Sequence, residues 1–168
     1  MTQSVPPQPA EGNPFAQKSD AVPPAPVPPA PVAPAGGNFV LGVVVAVVVA
    51  LVTAGVYGAI VGATEYEIGY AAVGVGFLVG FAAGKVGGAH PALPVISAVL
   101  SLGAVYVGQL IGVAVLGADI AGISATEMFV DHFDLVTEAW KETADAMTFL
   151  FFAIGAFAAF SGAKKAAA

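Results

Sequence analysis

Between Asp20 and Glu65 the chain carries no charged residue. Within that interval Asn38 to Gly62 is a continuous apolar run of 25 residues. As a helix it would rise about 37 Å, enough to cross about 30 Å of hydrocarbon with some tilt. Valine dominates Val43–Val49, and by propensity that run suits a buried strand. Length and the lack of charge decide for a membrane helix, because only helices and closed barrels satisfy every backbone group in lipid. The whole chain agrees: 58% of residues are hydrophobic, 10% are charged and mean hydropathy is +0.88. Soluble domains carry about 25% charged residues.

A second apolar run, Gly69 to Gly88, is strung with glycine, and Gly76, Gly80, Gly84 and Gly88 recur every four residues. Residues four apart share a helix face, so these glycines define a groove without side chains. Each glycine costs a water-exposed helix roughly 1 kcal/mol relative to alanine. Keeping four in register therefore points to a close helix partner. The first run carries small residues at the same spacing, Gly42, Ala46, Ala50, Ala54, Gly58 and Gly62, and the third carries Ala104, Gly108 and Gly112. Such faces drive helix association in lipid. Either run would fill the groove, from the same chain or from a second copy in a homo-oligomer.

Four spans follow from the pattern: about 38–62, 67–86, 94–117 and 147–163, in a membrane domain over 38–165. The fold class predicted is all-α integral membrane, with a proline-rich tail over 1–37 and an acidic amphipathic segment over 119–145. Thr64-x-x-Glu67 and Ser124-x-x-Glu127 have the spacing of capping boxes and mark helix starts. Pro94 suits the first turn of the third span. Gln109 is polar within an apolar run, so it should face another helix and hydrogen-bond there; it is also the candidate polar path through the bundle. Phe129, Phe133, Val136 and Trp140 fall at spacings of 4, 3 and 4, an aromatic stripe on one helix and a candidate partner surface. The short fourth span is expected to continue that helix as one rod.

Eleven of the 13 prolines lie in residues 1–37, which predicts a disordered or polyproline tail. Its P-x-x-P frames suit a cytoplasmic partner but also arise by chance at this composition. The tail has no basic start and no apolar run before residue 39, unlike a signal peptide. Lys18, Lys85, Lys164 and Lys165 fall on one side of a four-span topology, against Lys141 on the other. Lysine placement therefore predicts a multi-pass membrane protein with both termini cytoplasmic.

Other chemistries find little support. A net charge of −6 speaks against nucleic acid, which needs a basic face. With no cysteine there is no disulfide, thiolate site or cysteine nucleophile. Gly84-Lys85 resembles the end of a phosphate loop, but positions 79 and 86 are both valine, and Gly74-x-Gly76-x-x-x-Gly80 misses the dinucleotide spacing. His132 stands one residue from Asp131 and two from Asp134, spacings that do not share a helix face, and it has no second histidine at i+4, so no metal or other cofactor is predicted. His90 and His132 have no nucleophile–base pairing to work with, and no enzyme activity is expected.

The run Glu67-Ile68-Gly69-Tyr70-Ala71-Ala72-Val73-Gly74-Val75-Gly76-Phe77-Leu78-Val79-Gly80 resembles an E-I-G-[aromatic]-x-A-x-G-x-G-x-L-V-G pattern. That pattern opens a span in small bacterial multi-span membrane proteins with no assigned activity. The resemblance covers about twenty residues of the chain and implies a shared membrane helix; the acidic segment lies outside it. Two functions are compatible with the whole: a non-enzymatic scaffold or assembly partner in lipid, and a small channel or carrier for cations or small solutes. No ionisable residue stands at mid-span, where ion-coupled carriers usually place one.

Overall fold

The computed structural model describes residues 36–65 and 69–168, and among them it is all helix. The proline-rich tail and Glu67, hence the Thr64–Glu67 capping box, lie outside the described residues. Six helices follow in order: α1 (Phe39–Thr64), α2 (Gly69–Gly87), α3 (Leu93–Ala121), α4 (Ala125–Asp131), α5 (Phe133–Thr143) and α6 (Ala146–Ala167). Four of them, α1, α2, α3 and α6, are long and apolar enough to cross a membrane. This is a membrane protein.

Helix ends are set by local chemistry. The Asn38 side chain accepts from the Leu41 N–H at 3.1 Å and opens α1. At the other end Glu65 takes a left-handed φ of 57° and returns its N–H to the Val61 carbonyl. Inside the helix, the Thr53 hydroxyl donates to the Val49 carbonyl at 2.7 Å, so it is not left unpaired in the lipid. Helix α3, 29 residues long, rises about 43 Å and overhangs the hydrocarbon. It stops at Gly122, whose φ of 68° suits glycine.

The bundle has a lysine end, with Lys85, Lys164 and Lys165, and an acidic end, with Glu65 and the α4–α5 segment. The most extensive interface is α2 with α6, followed by α1 with α3. Both pairs run parallel: Gly76, Gly80 and Gly84 meet Gly155, Ala159 and Ala163 in that order, while Gly58 and Gly62 meet Ile111 and Val115. Adjacent helices are antiparallel, so the tight pairs are second neighbours or further along the chain. Small residues fill the interior, among them Ala46, Ala54, Ala83, Ala104 and Ala159. Large ones such as Leu51, Val52, Leu78 and Phe157 point outward. A water-soluble bundle would reverse this; a surface facing lipid has no reason to.

Three features depart from the sequence-based expectation. The chain does not enter α6 as one rod from the acidic segment: α5 ends at Thr143, Ala144 is extended, and Asp145 restarts the chain as an N-cap. The acidic segment is two helices rather than one, broken at His132, whose φ of −123° and ψ of 35° lie outside helical geometry. The third span runs four residues past 117, about one turn, and α4 and α5 fold back from it to pack along Leu110, Ala114 and Ala118 of α3.

Candidate functional site

Among the described residues the buried polar side chains Ser97 and Ser101 lie in the first turns of α3, and Gln109 and Thr148 lie toward the acidic end of the bundle. A cavity of about 180 Å³ lies there, lined by Tyr57 of α1, Gly69 and Ala72 of α2, Gln109 of α3, Asp145, and Thr148 of α6. Gln109 is buried, and its carbonyl oxygen accepts from the Trp140 indole N–H at 2.8 Å. The helix partner expected for Gln109 is thus supplied by α5, in the cap, rather than by another span. The Trp140 ring stands edge-on to Tyr106 with centroids 4.8 Å apart, which fixes the direction of its N–H.

Asp145 and Thr148 form the second half of the site. The Asp145 carboxylate accepts from the Thr148 N–H at 2.9 Å and from the Thr148 hydroxyl at 3.0 Å, and the Asp145 N–H donates to the Thr148 oxygen at 3.4 Å. The backbone N–H of Thr148, followed by its hydroxyl, holds the Asp145 carboxyl below the usual carboxylate range. This reciprocal cap was readable as D-x-x-T, but Asp145 looked like one more acid on a solvated face. By sequence Tyr57 reads as an interfacial aromatic near the end of its span; the fold instead buries it against the cavity.

Above the cavity, α4 and α5 cover the overhang of α3. Ser124 caps α4 by accepting from the Glu127 N–H at 3.1 Å. Met128 and Val136 are buried and anchor the two helices, with Met128 lying against Gly117. The residues of the aromatic stripe part company here. Phe129 and Phe133 stack edge to face at 5.5 Å, with Phe133 exposed, while Trp140 turns in to Gln109. Asp131, Asp134, Glu138 and Glu142 are exposed on the cap. His90 is at the opposite end of the bundle, with its ring 4.1 Å from that of Phe39.

The glycines fall into three groups. A side chain at Gly76, Gly80 or Gly84 would strike the backbone carbonyl of Gly155, Ala159 or Ala163. Gly58 and Gly62 approach α3, and Gly108 and Gly112 return the contact to Tyr57 and Val61. Gly88 is not part of the face: α2 ends at Gly87, and Gly88 takes a φ of 71° to bond its N–H to the Gly84 carbonyl at 3.0 Å. The groove in α2 is filled by the fourth span, which the sequence had not singled out, because α6 reads as phenylalanine-rich and hides its small face Gly155, Ala159, Ala163. Compared with protein-family models, curated proteins and solved structures, the chain matches none of them.

Proposed function

We propose that this chain is a non-enzymatic integral membrane scaffold or assembly partner, and that the acidic cap α4–α5 is the part it offers to others. The observation that supports this is the closure of both small-residue faces inside the chain. Gly76, Gly80 and Gly84 are spent on α6, and Gly58, Gly62, Gly108 and Gly112 are spent on the α1–α3 contact. Backbone meets backbone along the α2–α6 seam, and the apolar side chains of Ile111, Val115 and Val61 fill the α1–α3 seam, so neither seam leaves room for a polar route. A homo-oligomer would have to use other surfaces. Phe133 and Leu135 are exposed among the acids of the cap and give a partner apolar area to bury. In the proposed orientation the lysine end is cytoplasmic in a bacterial inner membrane, the proline-rich tail meets its partner there, and the cap lies outside.

A second reading, a channel or carrier for cations or small solutes, draws on the cavity at Gln109 and on the acids above it. Liposomes loaded with a cation-sensitive dye separate the two. The scaffold reading expects no flux above empty liposomes. Cation flux that Gln109→Leu abolishes would overturn it.

A further inference from the structure

The lysine end holds a second cavity, of about 360 Å³, between the α2–α3 loop and the last turns of α6. We propose that it binds the phosphate headgroup of an anionic phospholipid. Its walls include His90, Pro91, Pro94, Phe160, Lys164 and Ala167. Lys164 lies over the Phe160 ring at 5.5 Å, a cation held at the rim of an apolar floor. The His90 Nδ1 accepts from the Ala92 N–H at 3.3 Å, which leaves Nε2 as the nitrogen that donates. Phe39 packs on the same ring and, with the left-handed turn at Gly88, fixes the loop that carries it.

Charge at this end favours an anion. Among the described residues every acid lies toward the acidic end, whereas Lys85, Lys164 and Lys165 lie here. Helices α2 and α6 end in this region with partially negative carbonyl ends, and these lysines in their last turns offset that. Helix α3 begins at the cavity with its Leu93 N–H donated to the His90 carbonyl at 3.1 Å and Pro94 next in line, so it contributes the positive end of its dipole rather than free N–H groups.

A lipid, rather than free phosphate, is favoured by what continues from the floor. Phe160 is partly exposed and Phe157, one turn deeper on α6, is 70% exposed. Residues three apart share a helix face, so the two rings extend the apolar floor from the headgroup level toward the hydrocarbon. An acyl chain can follow that track, while inorganic phosphate makes no use of it.

The test is native mass spectrometry of the full chain in neutral detergent, titrated with phosphatidylglycerol or with phosphatidylcholine. One phosphatidylglycerol per chain should be retained in preference to phosphatidylcholine. Lys164→Gln should weaken that binding about five-fold, the loss of one lysine near an anionic headgroup. Ala167→Phe keeps every charge but fills the cavity, and should weaken binding at least as much. Lys141→Gln, at an exposed residue of α5 at the opposite end, should leave it unchanged. Equal binding of the two lipids, an equal loss in Lys141→Gln, unchanged binding in Ala167→Phe, or displacement of the lipid by inorganic phosphate at equal concentration would each overturn the assignment.

Discussion

Gly80→Ala tests the closest seam of the bundle. An ideal Cβ at Gly80 would lie 2.6 Å from the Ala159 carbonyl carbon and 2.7 Å from its Cα, with the Ala159 oxygen nearer still. All three are backbone atoms, so no rotamer change relieves the clash; α2 and α6 must move apart by about 1 Å to restore contacts of about 3.5–4.0 Å. Gly76 and Gly84 pack in the same way one turn to either side, so that movement loosens the seam beyond the mutated site. Overpacking of this kind costs about 1–3 kcal/mol. Against it stands alanine's higher helix propensity, worth about 1 kcal/mol. The net expectation is destabilisation of up to about 2 kcal/mol. Gly74→Ala and Gly103→Ala are the controls. Nothing lies within 4 Å of a Cβ at either position, so they retain the propensity term alone and should be neutral or slightly stabilising. Unfolding of the three variants in mixed micelles, followed by circular dichroism, measures the difference. A Gly80→Ala variant as stable as Gly74→Ala would refute the argument for the seam.

Three further outcomes are expected. Ser97 is fully buried and its hydroxyl has no hydrogen-bond partner among the described residues, so Ser97→Ala should stabilise the fold by about 1 kcal/mol in the same assay; a destabilised variant would show that the hydroxyl is satisfied. Trp140 is the only tryptophan, so its fluorescence reports the cap directly. Gln109→Leu removes the acceptor of its N–H and should raise acrylamide quenching as α5 loosens, and unchanged quenching would mean that the hydrogen bond does not hold the cap down. The Asp145 carboxyl is held below its ordinary range by groups that exist only in the folded cap. Its contribution to stability is therefore complete above the unfolded-state range and is lost as pH falls through the folded value. Asp145→Asn should flatten the acid limb of the stability profile, and an acid limb as steep as in the parent chain would disprove the link.

The four spans are legible in the sequence because apolar length is a one-dimensional property. Their pairing is not. Every span carries small residues at a spacing of four, so the pattern states that each helix packs closely without stating against which. The glycine face of α2 was matched to α1 or α3 because their small residues stand out; in α6 the same face is diluted by Phe151, Phe152, Phe157 and Phe160. The break before α6 is written locally, in Asp145 and Thr148, but a surface acid and a capping acid look alike until the chain direction is known. His132 carries no signal of the kink between α4 and α5; it follows from fitting Met128 and Val136 to one overhanging helix. Gln109 was legible as a residue needing a partner, whereas its donor lies 31 residues away and emerges only from tertiary structure.

The parallel pairing of α2 with α6 also sets an order of events during synthesis. Gly80 and the Ala159 backbone it rests on are separated by roughly 80 residues, which a ribosome takes about 4–16 s to add. Helix α1 and helix α3 flank α2 before that, but the seam itself has nothing to close it until the last span is made. For roughly the second half of that interval, after α3 is complete at Ala121, three spans are made and the glycine face of α2 still lacks α6. The step that completes the bundle is the arrival of its final helix.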